Sequence, residues 1–171
     1  KVRVIGMQAD TLAKVGAPVT YTPSPEIYMA LETGVIDATN FGGVKSECDL
    51  GLDEVTDYIL YPAPSSFVSS ELMVNLDAWN ALPDDLKAIV ESCAYTYESI
   101  YSRQLWLENE LKLKELVEAG KMQVITMPPE EVARVREIAY EDIKDYSTKD
   151  DYCARAFEIL DDYLRLKGYI E

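Results

Sequence analysis

Three observations predict an α/β fold for this chain. Its first 43 residues alternate short β-branched runs with helical segments punctuated by glycine and proline. An apolar pattern recurring every three or four residues then runs from about position 84 to about 119. No apolar stretch reaches the ~18 residues that a membrane-crossing helix needs.

Residues 2–5 read as strand 1, β-branched around Arg3, and Gly6 ends it. A helix follows from about 9 to 15, with Gly16 as its C-terminal stop. Residues 19–22 read as strand 2. Pro23, Ser24 and Pro25 then break and restart the chain, and Pro25 suits a first helical turn, where its missing N–H costs nothing. Ile27, Ala30 and Leu31 form the apolar face of that helix, Gly34 ends it, and 35–39 form strand 3. This order predicts parallel strands with right-handed crossovers. In open α/β sheets, ligands gather beyond the strand ends where connections diverge. Arg3, in strand 1, and the pair Asn40 and Phe41, closing strand 3, therefore converge on one candidate cleft. Gly42, Gly43 and the polar run to Asp53 read as a loop plus a short helix. Residues 58–61 and 68–74 read as further strands joined across Pro62, Ala63 and Pro64.

After Leu82 the pattern changes. Pro83, Asp84 and Asp85 start a helix, with acids at the positive end of its dipole. One helix from there to about Ala119 would be about 55 Å long, which suits a helix running along two domains. Residues 122–127 read as a returning strand, and two helices follow, from Pro129 to about Tyr146 and from about Asp150 to Leu166. The expected organisation is an α/β ligand-binding domain over 1–82, then a long connecting helix, a returning strand and C-terminal helices over 83–171.

The chain has 171 residues, 16 Lys and Arg against 31 Asp and Glu, and a net charge of −15. A field of that sign opposes nucleic acid and anionic lipid surfaces. The absence of histidine removes the commonest general base, the usual Ser-His-Asp and Cys-His arrangements and ordinary zinc sites. No phosphate-binding glycine motif is present. The paired acids Asp84 and Asp85, Glu130 and Glu131, and Asp161 and Asp162 read as helix-start or solvated charges. Cys48, Cys93 and Cys153 are far apart and read as buried or half-buried small residues. Trp79 and Trp106 read as packing residues within helices.

Arg3 sits among Val2, Val4 and Ile5, so it is expected to be buried and to need an anionic partner. An internal carboxylate would make it structural. A ligand carboxylate would fit its planar fork with two parallel bonds. Phe41 could be core or ligand wall, and Asn40 could serve a loop or a ligand.

The order and spacing of several segments resemble the solute-binding proteins of tripartite ATP-independent periplasmic (TRAP) transporters. These segments are Lys1 to Arg3, Gly16 to Pro18, Glu26 to Asp37, Glu54 to Tyr58, Asn75, and Trp79 to Asp85. The resemblance implies a periplasmic-binding-protein-like, hinged two-domain receptor whose N-terminal domain lies outside this chain. It implies a protein that binds a small organic carboxylate in the periplasm and delivers it to the membrane subunits of a TRAP permease. Neither a cofactor nor insertion in the membrane is implied. Arg3 falls where the family's arginine pairs with the substrate carboxylate, and Phe41 falls where a ring covers the ligand.

The branch that binds 2-oxo and hydroxy acids commonly reads D-A-x-E-W-x-G-P here, whereas this chain reads Asp37, Ala38, Thr39, Asn40, Phe41, Gly42, Gly43. Asn40 replaces a metal-holding glutamate, and the second acidic position of that branch falls near Ser66. No bridging metal is therefore expected. Ser24 stands where other branches place an aromatic lid. The expected ligand contacts are Arg3, Asn40, Phe41, Ser24 and Ser66. A small carboxylate-processing enzyme on a similar fold is the alternative, and the absence of any coherent acid–base pair counts against it.

Overall fold

The computed structural model describes residues 1–63 and 71–170. The chain divides into two units interleaved along the sequence: Lys1–Phe41 with Leu60–Pro64 and Ile125–Glu171, and Gly42–Ile59 with Ser65–Val124.

The first unit is built on a parallel sheet of order β2-β1-β3. Its strands are β1 (Val2–Arg3), β2 (Val19–Thr20) and β3 (Ala38–Thr39). Val2 lies opposite Val19 and Ala38, and Arg3 opposite Thr20 and Thr39. The parallel βαβαβ order thus matches the sequence reading, but each strand is shorter than expected. The carbonyls of Thr22 and Asn40, which longer ladders could engage, accept instead from the Arg3 side chain, so each backbone acceptor still finds a donor.

Helix α1 (Met7–Val15) ends at Gly16, whose φ of 106° a side chain would resist. A 3-10 turn at Ser24–Glu26, with Pro25 in its first turn, leads into α2 (Ile27–Glu32). Val4, Ile27, Ala30 and Ile36 bury the apolar side of this crossover.

The second unit begins with α3 (Val44–Asp49) and a 3-10 turn at Leu52–Glu54. Asn75 caps α4 (Leu76–Ala81) by accepting from the Asp77 and Ala78 N–H groups. The long helix predicted over 84–119 is one helical run interrupted by a π-turn: α5 (Asp84–Thr96), the turn Tyr97–Tyr101, and α6 (Ser102–Glu118). α3 packs on α6, and Val44, Leu52, Leu113, Leu116 and Met122 form this unit's core. Strand β4 (Tyr58–Leu60) pairs with β5 (Gln123–Ile125), the returning strand.

The first unit resumes with α7 (Pro129–Ser147) and α8 (Asp151–Leu166), the latter capped by the Asp150 carboxylate accepting from the Cys153 N–H. α7 packs on both α1 and α8.

Three expectations need correction. The strand expected over 68–74 lies partly outside the described residues, and its described part, 71–74, has no regular structure. Trp106 is 65% exposed rather than packed, because α6 buries only Leu113 and Leu116 among its described residues. Cys93 is exposed, while Cys48 and Cys153 are intermediate.

Asp142 of α7 is buried against α1, where it accepts from the Thr11 hydroxyl at 2.6 Å and pairs with Lys14. Burial opposes its charge, but the bonds from Lys14 and Thr11 outweigh that and hold the carboxyl below its ordinary range. The folded state therefore binds this proton less readily than the unfolded state. The stabilisation is complete above the ordinary carboxylate range near pH ~4 and drains away as pH falls through and below it. Asp142→Asn is expected to cost about 1.5–3 kcal/mol at pH 7, the worth of hydrogen bonds to a charged group. In denaturant titrations the gap from wild type should shrink as the pH is lowered below 4.

Gly43 precedes α3 with no room for a side chain. The Asn109 carbonyl oxygen accepts from the Lys45 N–H at 2.8 Å, and a Cβ on Gly43 would run into the Asn109 side-chain amide. At Gly42 the nearest atom would be Ser46 Cβ at 3.3 Å. Gly43→Ala should destabilise by about 1–3 kcal/mol, as overpacking does, and Gly42→Ala by clearly less, measured by the same titrations.

Candidate functional site

The site assembles where the three parallel strands end. β1 ends on Arg3. β2 runs out to Thr22 and then to Ser24 at the start of the 3-10 turn. β3 runs out to Asn40 and Phe41, and the Asn40 N–H donates to the Arg3 carbonyl at 2.9 Å. All five residues belong to the first unit.

Arg3 is only 3% exposed, yet no carboxylate among the described residues lies within ion-pairing distance of it. Two backbone carbonyls orient the guanidinium: Nε donates to Thr22 at 3.0 Å and Nη1 to Asn40 at 3.1 Å. Its central carbon stands 5.8 Å from the centre of the Phe41 ring, within cation–π range. A guanidinium has five N–H donors in a fixed fork. Nε and one N–H of Nη1 are engaged, so the donors left for a planar acceptor are those of Nη2 and the second of Nη1.

The remaining polar groups are neutral. The Asn40 side-chain amide and the Ser24 hydroxyl make no side-chain hydrogen bond with any other described residue. Phe41 is 39% exposed, so its ring is not core. Ser66, the fifth expected contact, lies outside the described residues.

Sequence reasoning missed Thr22 and Thr39. Thr22 acts through its carbonyl, which leaves no side-chain signal. Thr39 lies opposite Arg3 in the ladder, and its buried hydroxyl has no partner among the described residues.

Other chemistry finds little support. Burial, with Asp53 beside it, pushes the Cys48 thiol up to about 11, so it is not a thiolate nucleophile at neutral pH. Among the described residues, no three acids or thiols are grouped to hold a metal ion. A groove of about 350 Å³ lined by Asp10, Ala13, Lys14, Asp142, Asp145 and Tyr146 is separate from Arg3, and its buried acid already has partners.

An oriented cation, a ring and neutral polar groups thus lie together beyond the ends of a parallel sheet. Residues 1–150 match the family described as bacterial extracellular solute-binding protein, family 7, and the chain belongs to that family. It is 26% identical, over 161 residues, to a monocarboxylate 2-oxoacid-binding periplasmic protein of Nostoc sp., covering 92% of this chain and 43% of that protein.

Two solved structures share the fold. A TRAP periplasmic solute-binding protein of Pseudoalteromonas atlantica with bound sodium and pyruvate matches with a TM-score of 0.75 and 27% identity, over 98% of this chain and 52% of that one. One from Rhodoferax ferrireducens with bound malonate matches with a TM-score of 0.81 and 21% identity, over 99% and 54%. The fold is therefore that of TRAP periplasmic binding proteins, and the chain spans about half the length of these relatives. No helix among the described residues is long and apolar enough to cross a membrane.

Proposed function

We propose that this chain forms the carboxylate-gripping part of a periplasmic solute receptor that delivers a small organic acid to the membrane subunits of a TRAP permease. The observation that carries this reading is Arg3: a buried cation aimed by two carbonyls, with no internal carboxylate beside it among the described residues. Burying a charge without a counter-charge is expensive. A ligand carboxylate at the terminal-nitrogen edge would neutralise it with two charge-assisted bonds.

Each neighbour has a role in that complex. Phe41 excludes water from one side of the ion pair, which strengthens it by lowering the local dielectric. Asn40 can donate to or accept from a second polar group of the ligand, and Ser24 offers a hydroxyl on the β2 side. Ser66 remains a candidate contact from the sequence. Binding and release need no bond making, in keeping with the absence of an acid–base pair among these groups. The family's members and the structural neighbours are transport receptors, which favours this reading over an enzyme.

The relative with pyruvate also holds sodium. The donors beside Arg3 do not fit a bridging cation, because the Asn40 amide and Ser24 hydroxyl carry no charge to offset one next to a guanidinium. Binding through a direct carboxylate–Arg3 contact follows.

Calorimetric titration of the intact protein with pyruvate, malonate and related acids tests the grip. Arg3→Ala should weaken binding by about 2–5 kcal/mol, roughly 30- to several-thousand-fold, while circular dichroism stays unchanged. Arg3→Lys should also bind poorly, since an ammonium does not reproduce the fork. Arg3→Ala within about twofold of wild type would place the anchor elsewhere.

Exhaustive dialysis against chelator, followed by the same titration in sodium-free buffer, should leave affinity within about twofold, under ~0.5 kcal/mol. Loss of binding that calcium or sodium restores would show a bridging ion.

A further inference from the structure

Beside Arg3 in the sheet lies a second group whose bonding is incomplete. Thr39 stands opposite Arg3 in the β1–β3 ladder. Residues on one rung of a ladder project from the same face of the sheet, so the Thr39 side chain neighbours the stem of Arg3. Its hydroxyl oxygen is closed off from solvent and makes no hydrogen bond with any described residue. No other buried side-chain nitrogen or oxygen among the described residues is left in that state. On the helices, threonine hydroxyls find partners locally: Thr11 donates to the Met7 carbonyl and to Asp142, and Thr33 to the Met29 carbonyl. A strand offers no carbonyl one turn back, so Thr39 has no such route.

This position does not require a hydroxyl for the fold. Valine has nearly the same shape, suits a strand equally well and leaves no polar group to satisfy. A buried unpaired hydroxyl is costly, and a buried cation without a counter-charge more so. Both fall on one rung, and one carboxylate would complete both. The Arg3 fork indicates which of its oxygens is shared. Nη1 donates to the Asn40 carbonyl, so that arm of the guanidinium is turned toward β3, the strand in which Thr39 immediately precedes Asn40.

We propose that Thr39 is a further contact residue of the carboxylate site. Its hydroxyl donates to the carboxylate oxygen held by the second N–H of Nη1, while the other oxygen accepts from Nη2. One oxygen is thus held jointly by a cation on β1 and a hydroxyl on β3. The inference rests on the reading of Arg3 given above, and it adds a neutral donor whose removal leaves the site's charge unchanged.

The test pairs two measurements on the intact protein: calorimetric titration with pyruvate, malonate and related acids, and denaturant titration without any acid. Thr39→Val should keep its denaturant midpoint at or above that of wild type and lose about ten- to a hundredfold in affinity, the worth of a hydrogen bond to a charged group. Thr39→Ser, which keeps the hydroxyl, should bind within about threefold of wild type. A hydroxyl that serves only the fold would do the reverse, lowering the midpoint of Thr39→Val and leaving affinity alone. Thr39→Val within about twofold of wild type, while Arg3→Ala loses its grip, would overturn this inference and leave the reading of Arg3 standing. Equal losses in Thr39→Val and Thr39→Ser would overturn it too, since the methyl and not the hydroxyl would then matter. If no acid of the panel binds wild type, or Arg3→Ala binds as wild type does, the reading of Arg3 falls and this inference with it.

Discussion

The central constraint is the placement of a full positive charge inside the middle strand of a parallel sheet. Arg3 is buried at the end of β1, and the strands on either side determine what it can do. Because β2 and β3 both run parallel to β1, their outgoing chains present the Thr22 and Asn40 carbonyls on opposite sides of the guanidinium. Those carbonyls fix its orientation without neutralising it. Strand shortness, the absence of a counter-charge among the described residues and the exposed Phe41 ring are consistent with one arrangement: a fork held in place by backbone carbonyls, its charge left for a ligand to meet. A carboxylate beside Arg3 within the chain would make the same arrangement a structural ion pair with nothing left for a ligand.

The elements most legible in the sequence were those with local signals. Gly16 and Gly34 marked helix ends, Pro25 a helix start, and the three- and four-residue repeat the long helical run over 84–118. The parallel order followed from alternation alone. What stayed hidden depends on longer-range geometry. The π-turn at Tyr97–Tyr101 leaves the apolar repeat nearly intact, so periodicity reads straight through it. Trp106 resembles a core residue in composition, but α6 turns it outward. Thr22 contributes a backbone carbonyl, and no side-chain pattern announces that.

The site was half legible. Arginine among valines signalled burial, and the strand-end rule placed Asn40 and Phe41 near it. That no described carboxylate pairs with Arg3 could not be read from a chain with 31 acidic residues. Only the structure shows, for example, that Asp142 pairs with Lys14.

The most direct measurement is a crystal structure of the intact protein with a bound carboxylate identified by the calorimetric panel. The account predicts both carboxylate oxygens within hydrogen-bond distance of the two terminal nitrogens of Arg3, with Nε still bonded to Thr22 and the Phe41 ring against the ligand. An Arg3 paired with an aspartate or glutamate of the protein, and a ligand carboxylate held elsewhere, would contradict it.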